Sequence, residues 1–199
     1  MRKLIPALVS VTLMLGGTAA QAGERTEAIL DRHVLPLVET LARTTAALDT
    51  AAEADCAPDG AALRAAYTTA FDAWIAFSHL RFGPAETQAR GFALAFWPDT
   101  RGMTPKTLRS LIASEDPVVD SAEDFATVSV AGRGFYALEF LLYDKDIAAL
   151  GTEAYRCQLT RVIAADMAAT AADLAQDWQD TYAGLMRHPS AEGPYQTDE

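Results

Sequence analysis

At 199 residues the chain is long enough for one ordinary domain or two small ones and too short for a larger assembly. Half of its residues are hydrophobic and 22% are charged, which excludes a disordered chain, and sixteen basic against twenty-seven acidic residues leave a formal charge of −11, the reverse of the basic face that nucleic-acid binding uses. Forty alanines, against twelve glycines and nine prolines, predict a mostly helical protein whose helices approach closely.

The first 22 residues read as a signal peptide. Arg2 and Lys3 precede an apolar run from Leu4 to Gly17, and Ala20-Gln21-Ala22 is a small-x-small cleavage site, so the mature chain is expected to begin at Gly23. The run is short for a bilayer span, no cysteine follows it for lipid attachment, and no membrane-spanning segment is expected in the mature chain. Export places Cys56 and Cys157, 101 positions apart, in an oxidising compartment, where a disulfide is the expected state and two buried free thiols the alternative.

Along the mature chain, Leu30, Val34, Leu37, Leu41 and Leu48 form one stripe of a helix over 26–54, with Pro36 predicting a kink near Asp31–Pro36. Asp59 is the expected N-cap of a second helix to about Arg81, carrying Leu63, Tyr67, Phe71, Trp74 and Phe77. Phe82-Gly83-Pro84 ends it. The segment from Gly91 to Gly102, with Phe92, Phe96, Trp97, Pro98 and Asp99, is expected to cross one end of a bundle and bury its rings there. Thr104-Pro105 reads as a cap and first turn of a short helix through Ile112, and Asp116-Pro117 breaks the chain again. Ser121 and Asp124 resemble a capping box ahead of the most apolar helical stretch, 128–143. A last helix is expected from Thr152 to about Met186, followed by a linker-like ending. No strand pattern competes. The predicted fold is all-α, an antiparallel bundle of four principal helices with a long aromatic crossover.

Glycine-rich phosphate loops, paired CxxC, HExxH and Gly-x-Ser-x-Gly are absent from the sequence, and His33, His79 and His188 are dispersed. The chemistry-bearing segment is Gly134 to Glu139. Tyr136 and Glu139 are three apart on one helical face, and a carboxylate in so apolar a run requires a cation, a donor or water. Gly132 and Gly134 would weaken a helix there and predict close approach by a neighbouring backbone. Glu139 and Tyr136 are the candidate metal ligands; the alternative is a Tyr–Glu hydrogen bond or an ion pair of Glu139 with Arg133, Arg81 or Arg101. Asp166, Asp173, Asp177 and Asp180 read either as a solvated acidic face or as a cation groove beside Glu139. His79 is read as a satisfied interior histidine or as a spatial stand-in for a missing ligand, and Trp74, Trp97 and Trp178 as packing residues.

Gly134-Phe135-Tyr136-Ala137-Leu138-Glu139-Phe140-Leu141-Leu142 resembles the imelysin signature Gly-x-His-x-x-Glu followed by an aromatic and two leucines. The resemblance extends through Trp74, Leu80-Arg81-Phe82-Gly83-Pro84, Phe96-Trp97-Pro98-Asp99 and Tyr155-Arg156-Cys157, so that Gly134, Arg81, Gly83, Pro84, Trp97 and Pro98 are its structural motif residues. It implies residues 23–199 forming the first half of an imelysin-like domain, incomplete at its C-terminus, in the periplasm or cell envelope. It also implies a place in iron uptake, through iron binding or an envelope protein partner, with metallopeptidase activity as the alternative. One departure bears on chemistry: the family histidine is Tyr136 here. A deprotonated phenol is a hard donor suited to ferric iron, whereas the lost nitrogen weakens a Zn²⁺ peptidase site.

Overall fold

The computed structural model describes residues 18–196. Residues 1–17, most of the segment read as a signal peptide, lie outside them. Ten α-helices follow in order, and no strand occurs among the described residues: α1 (Thr18–Ile29), α2 (Leu35–Ala54), α3 (Ala61–Phe77), α4 (Arg90–Leu94), α5 (Met103–Ser114), α6 (Ala122–Phe125), α7 (Gly134–Tyr143), α8 (Lys145–Ala148), α9 (Glu153–Asp177) and α10 (Ala183–Arg187). α2 packs along both α3 and α9, and α7 closes the bundle against α9 and α5. The all-α antiparallel bundle is the fold that composition and periodicity predict.

The irregularity at Pro36 is a π-helical turn, Leu30–Val34, joining α1 to α2. Proline has no N–H to give, and the amide of Leu35 before it donates to the carbonyl of Leu30, one residue further back than in an α-helix. The inserted residue shifts the buried stripe. Leu30, Val34, Val38, Leu41, Leu48 and Ala52 face the core, whereas Leu37 is only half-buried. Thr44 and Thr45, buried on the same helix, return their hydroxyls to carbonyls one turn back, at 2.8 Å to Thr40 and 2.9 Å to Leu41. With Ala70 and Ala73 on α3 and Ala164, Ala171 and Ala175 on α9, these small residues let the three long helices lie close.

Two helix starts differ from the sequence reading. α3 begins after Gly60, which holds the N-cap position one residue beyond Asp59 and has no side chain to cap with, while Asp55 closes the preceding turn, its Oδ1 accepting from the Ala57 N–H at 3.0 Å. At α5 the capping group is Asp99: its two carboxylate oxygens accept from the N–H groups of Met103 and Thr104, each at 2.8 Å, and those bonds hold its pKa below the usual range. Thr104 is therefore the recipient of the cap. The apolar stretch after Ser121 is also interrupted. Ser121 caps only the single turn of α6, and α7 starts at Gly134 after an extended Arg133.

Gly132 and Gly134 thus lie outside any helix interior, but the close approach they predict is present. Gly134 has φ +72°, and a Cβ there would lie 2.2 Å from the Leu94 carbonyl oxygen and 2.3 Å from that of Ala93, at the end of α4. Only glycine fits. Gly83 (φ +57°) plays the same part at the head of the crossover, where a Cβ would strike the Tyr182 ring. Behind it Trp178 is fully buried against Phe82 and Tyr182, at 5.6 and 5.0 Å between ring centroids.

α9 runs through a second π-helical turn, Trp178–Tyr182, into α10, close to the single long helix expected. The tail after it is packed where a linker is expected: Tyr195 bonds its hydroxyl to that of Tyr182 at 2.8 Å, and the Ser190 N–H donates to the Tyr195 carbonyl at 2.9 Å. Cys56, just past α2, and Cys157, in the second turn of α9, are joined as a disulfide with Cα atoms 5.1 Å apart. No described helix is long and apolar enough to cross a membrane.

Candidate functional site

α7 is apolar on nearly every side because it packs against both α9 and α5, and its one open flank carries Tyr136, Glu139, Phe140 and Tyr143. Its C-terminal end is fastened by Arg64, which donates from Nη2 to the Leu142 carbonyl and from Nε to the Pro58 carbonyl, each at 2.6 Å, while its guanidinium lies 4.6 Å above the Tyr143 ring. An orphan helix carbonyl is thereby satisfied and the flank is held rigid. Tyr67 supports it from beneath, with its hydroxyl 3.4 Å from the Phe135 carbonyl and its ring edge-on to Tyr143.

Tyr136 sits between Phe71, at 6.0 Å, and Trp97 of the crossover, at 5.7 Å. Burial and the neighbouring Glu139 carboxylate raise its pKa, against a smaller opposing pull from Arg81, so the phenol is neutral at physiological pH. Tyr67 is pushed up in the same way. Glu139 itself is exposed and forms no ion pair among the described residues, and with Phe140, Tyr143 and Asp144 it lines an open groove of about 290 Å³. Asp144 is committed to capping α8, accepting from Asp146 and Ile147.

The rings of the crossover behave differently from the expectation that they are buried. Trp97 is 58% exposed and Phe92 46%, whereas Trp74 is buried. A second cavity, of about 300 Å³, opens between Trp74, Phe77, Leu80, Arg81, Glu86 and Phe92. Arg81 is exposed at its rim, with Nε bonded to the Ser78 carbonyl. Pro84 is buried and Pro98 follows Trp97 on the surface through a cis peptide bond.

Among the described residues none of the predicted arginines pairs with Glu139. Arg133 turns away to Asp166, which it grips with Nε at 2.9 Å and Nη2 at 2.6 Å, side chains 11% and 5% exposed. Asp177 binds Arg90. The four acids of α9 and the π turn after it are therefore not wholly a solvated face, because two of them pair with arginines whose side chains are only 11% exposed, and among the described residues none joins Glu139 in a cluster that could hold a cation. His79 supplies no ligand to the motif either: it is exposed, not interior, and its Nε2 lies 2.9 Å from that of His33. Sequence reasoning missed all three pairings, since they join residues 33, 87 and 46 positions apart with no local signature.

Among the described residues no three His, Cys, Asp or Glu side chains converge as a metal cluster. A protonated phenol is a poor ligand, which leaves one exposed carboxylate as the flank's single effective donor, so the residues of this flank do not fit the zinc or iron centre that the motif implies.

The imelysin family profile, of the peptidase M75 class, matches residues 30–197, and the chain belongs to that family. Among solved structures, the chain is similar to an imelysin-like protein from Psychrobacter arcticum 273-4, with a TM-score of 0.75 and 23% identity over 90% of this chain. That match covers 55% of the Psychrobacter chain, so the present chain spans about half of its length. No curated protein sequence matches.

Proposed function

We propose that the protein is an exported, non-enzymatic imelysin that serves iron acquisition in the cell envelope by docking a protein partner on the open flank of α7. The observation that carries this reading is the state of the family motif: a neutral Tyr136 stands in place of the imidazole and packs on Trp97, while the exposed Glu139 shares a groove with Tyr143, and Trp97 and Tyr143 are 58% and 46% exposed. Large aromatic rings fixed by packing around one carboxylate are the composition of an interface centre. The acidic balance of the chain favours a neutral or basic face on the partner. Iron acquisition enters through family membership, and export through the N-terminal segment.

The test is iron uptake in the native host, with the chromosomal copy deleted and variants supplied in trans. Trp97→Asp and Tyr136→Ala are expected to leave uptake at the level of the deletion strain while the exported proteins keep wild-type circular dichroism. Full rescue by both variants would overturn the docking role. Chelator-sensitive peptide cleavage by the wild-type protein that disappears in Glu139→Ala would establish the metallopeptidase alternative in its place.

A further inference from the structure

His33 lies in the π-helical turn between α1 and α2, and His79 two residues beyond the end of α3. Their Nε2 atoms are 2.9 Å apart, with ring centroids at 5.0 Å and planes tilted by 38°, so the imidazoles meet head to head. Both rings are exposed, and neither belongs to the α7 flank. The acids around His33 in sequence are occupied: Glu27 and Asp31 both hold Arg187, and Glu39 accepts from Gln179 at 2.9 Å. The two imidazoles are thus brought together by different helices.

We propose that His33 and His79 form a two-imidazole site for a borderline divalent transition metal, Cu(II) in preference to Ni(II) or Zn(II), with water in the remaining positions. Two nitrogens each about 2.0–2.1 Å from one ion and at right angles to each other stand about 2.9 Å apart, the separation already present, but the rings now point at each other, and each exposed imidazole turns by about 45° off the N···N line to aim its lone pair at a common ion. Right-angled nitrogen coordination suits tetragonal Cu(II), and the general affinity order for divalent ions places copper highest. Without metal, the contact is an N–H···N hydrogen bond, in which one ring carries its proton on Nε2 and the other on Nδ1. Binding moves that one proton to Nδ1 through solvent, freeing both Nε2 lone pairs with no net proton lost. The π turn supports a specific role, since such insertions recur at functional sites. The ion would tie the α1–α2 junction to the end of α3.

The test is copper titration of the mature, chelator-stripped protein, read by electron paramagnetic resonance and by thermal melting. One equivalent of Cu(II) is expected to show two-nitrogen coordination and to raise the melting temperature. His33→Ala and His79→Ala, both at exposed positions, are each expected to weaken binding by more than about tenfold and to abolish the thermal shift. His188→Ala is expected to change neither. Copper binding of wild-type strength in the His33→Ala, His79→Ala double variant, or binding that follows His188, would show an adventitious ion only and overturn the proposal.

Discussion

Reduction of the Cys56–Cys157 disulfide is expected to lower the melting temperature by roughly 5–15 °C. The bond closes a loop of 101 positions, and in the chain-entropy account a loop of that length confers on the order of 4–5 kcal/mol, with measured values often smaller. The loop contains α3, the crossover, α5 and α7, so the bond restricts most of the unfolded chain while joining α2 to α9, which already lie side by side. Calorimetry with and without reductant, and on Cys56→Ser/Cys157→Ser, measures the effect. A shift below 2 °C in both would mean that packing alone fixes the two helices.

Arg133→Ala is expected to cost about 3–5 kcal/mol, because it leaves the Asp166 carboxylate buried without its partner. Burial raises the pKa of Asp166, and the Arg133 hydrogen bonds only partly offset it. Without those bonds the carboxyl titrates higher still. For a group whose folded pKa lies above its unfolded one, the proton-linked stabilisation is complete below the ordinary carboxylate range and is lost as pH rises through the folded value. The deficit of Arg133→Ala in chemical denaturation is therefore expected to be larger at pH 7 than at pH 4. Arg133→Met combined with Asp166→Leu should recover most of it, since no buried charge remains. A deficit that grows toward pH 4 would contradict this account.

The helical architecture was legible because alanine content, the apolar stripes and the proline breaks act locally. Leu30, Val34, Leu41 and Leu48 repeat at helical spacing, and Pro36 announces its own irregularity. Leu37 gave way to Val38 because a π turn adds one residue, which a regular period does not register. Caps were less legible: Asp99 reaches its amides four and five residues ahead, beyond the usual capping offset. At the motif, the shared face of Tyr136 and Glu139 follows from helical spacing alone. The engagement of Arg133 with Asp166 and the meeting of His33 with His79 depend on which helices become neighbours, and that is decided by the whole bundle.

The central claim is that the Tyr136–Glu139 flank receives a partner and holds no resident metal. Its most direct test is calorimetric titration of the mature protein with ferrous and ferric iron, in a His33→Ala, His79→Ala background that removes the imidazole pair, with and without Glu139→Ala. The account predicts no saturable binding in either oxidation state and no difference on removing Glu139. Stoichiometric iron binding that Glu139→Ala abolishes would contradict it.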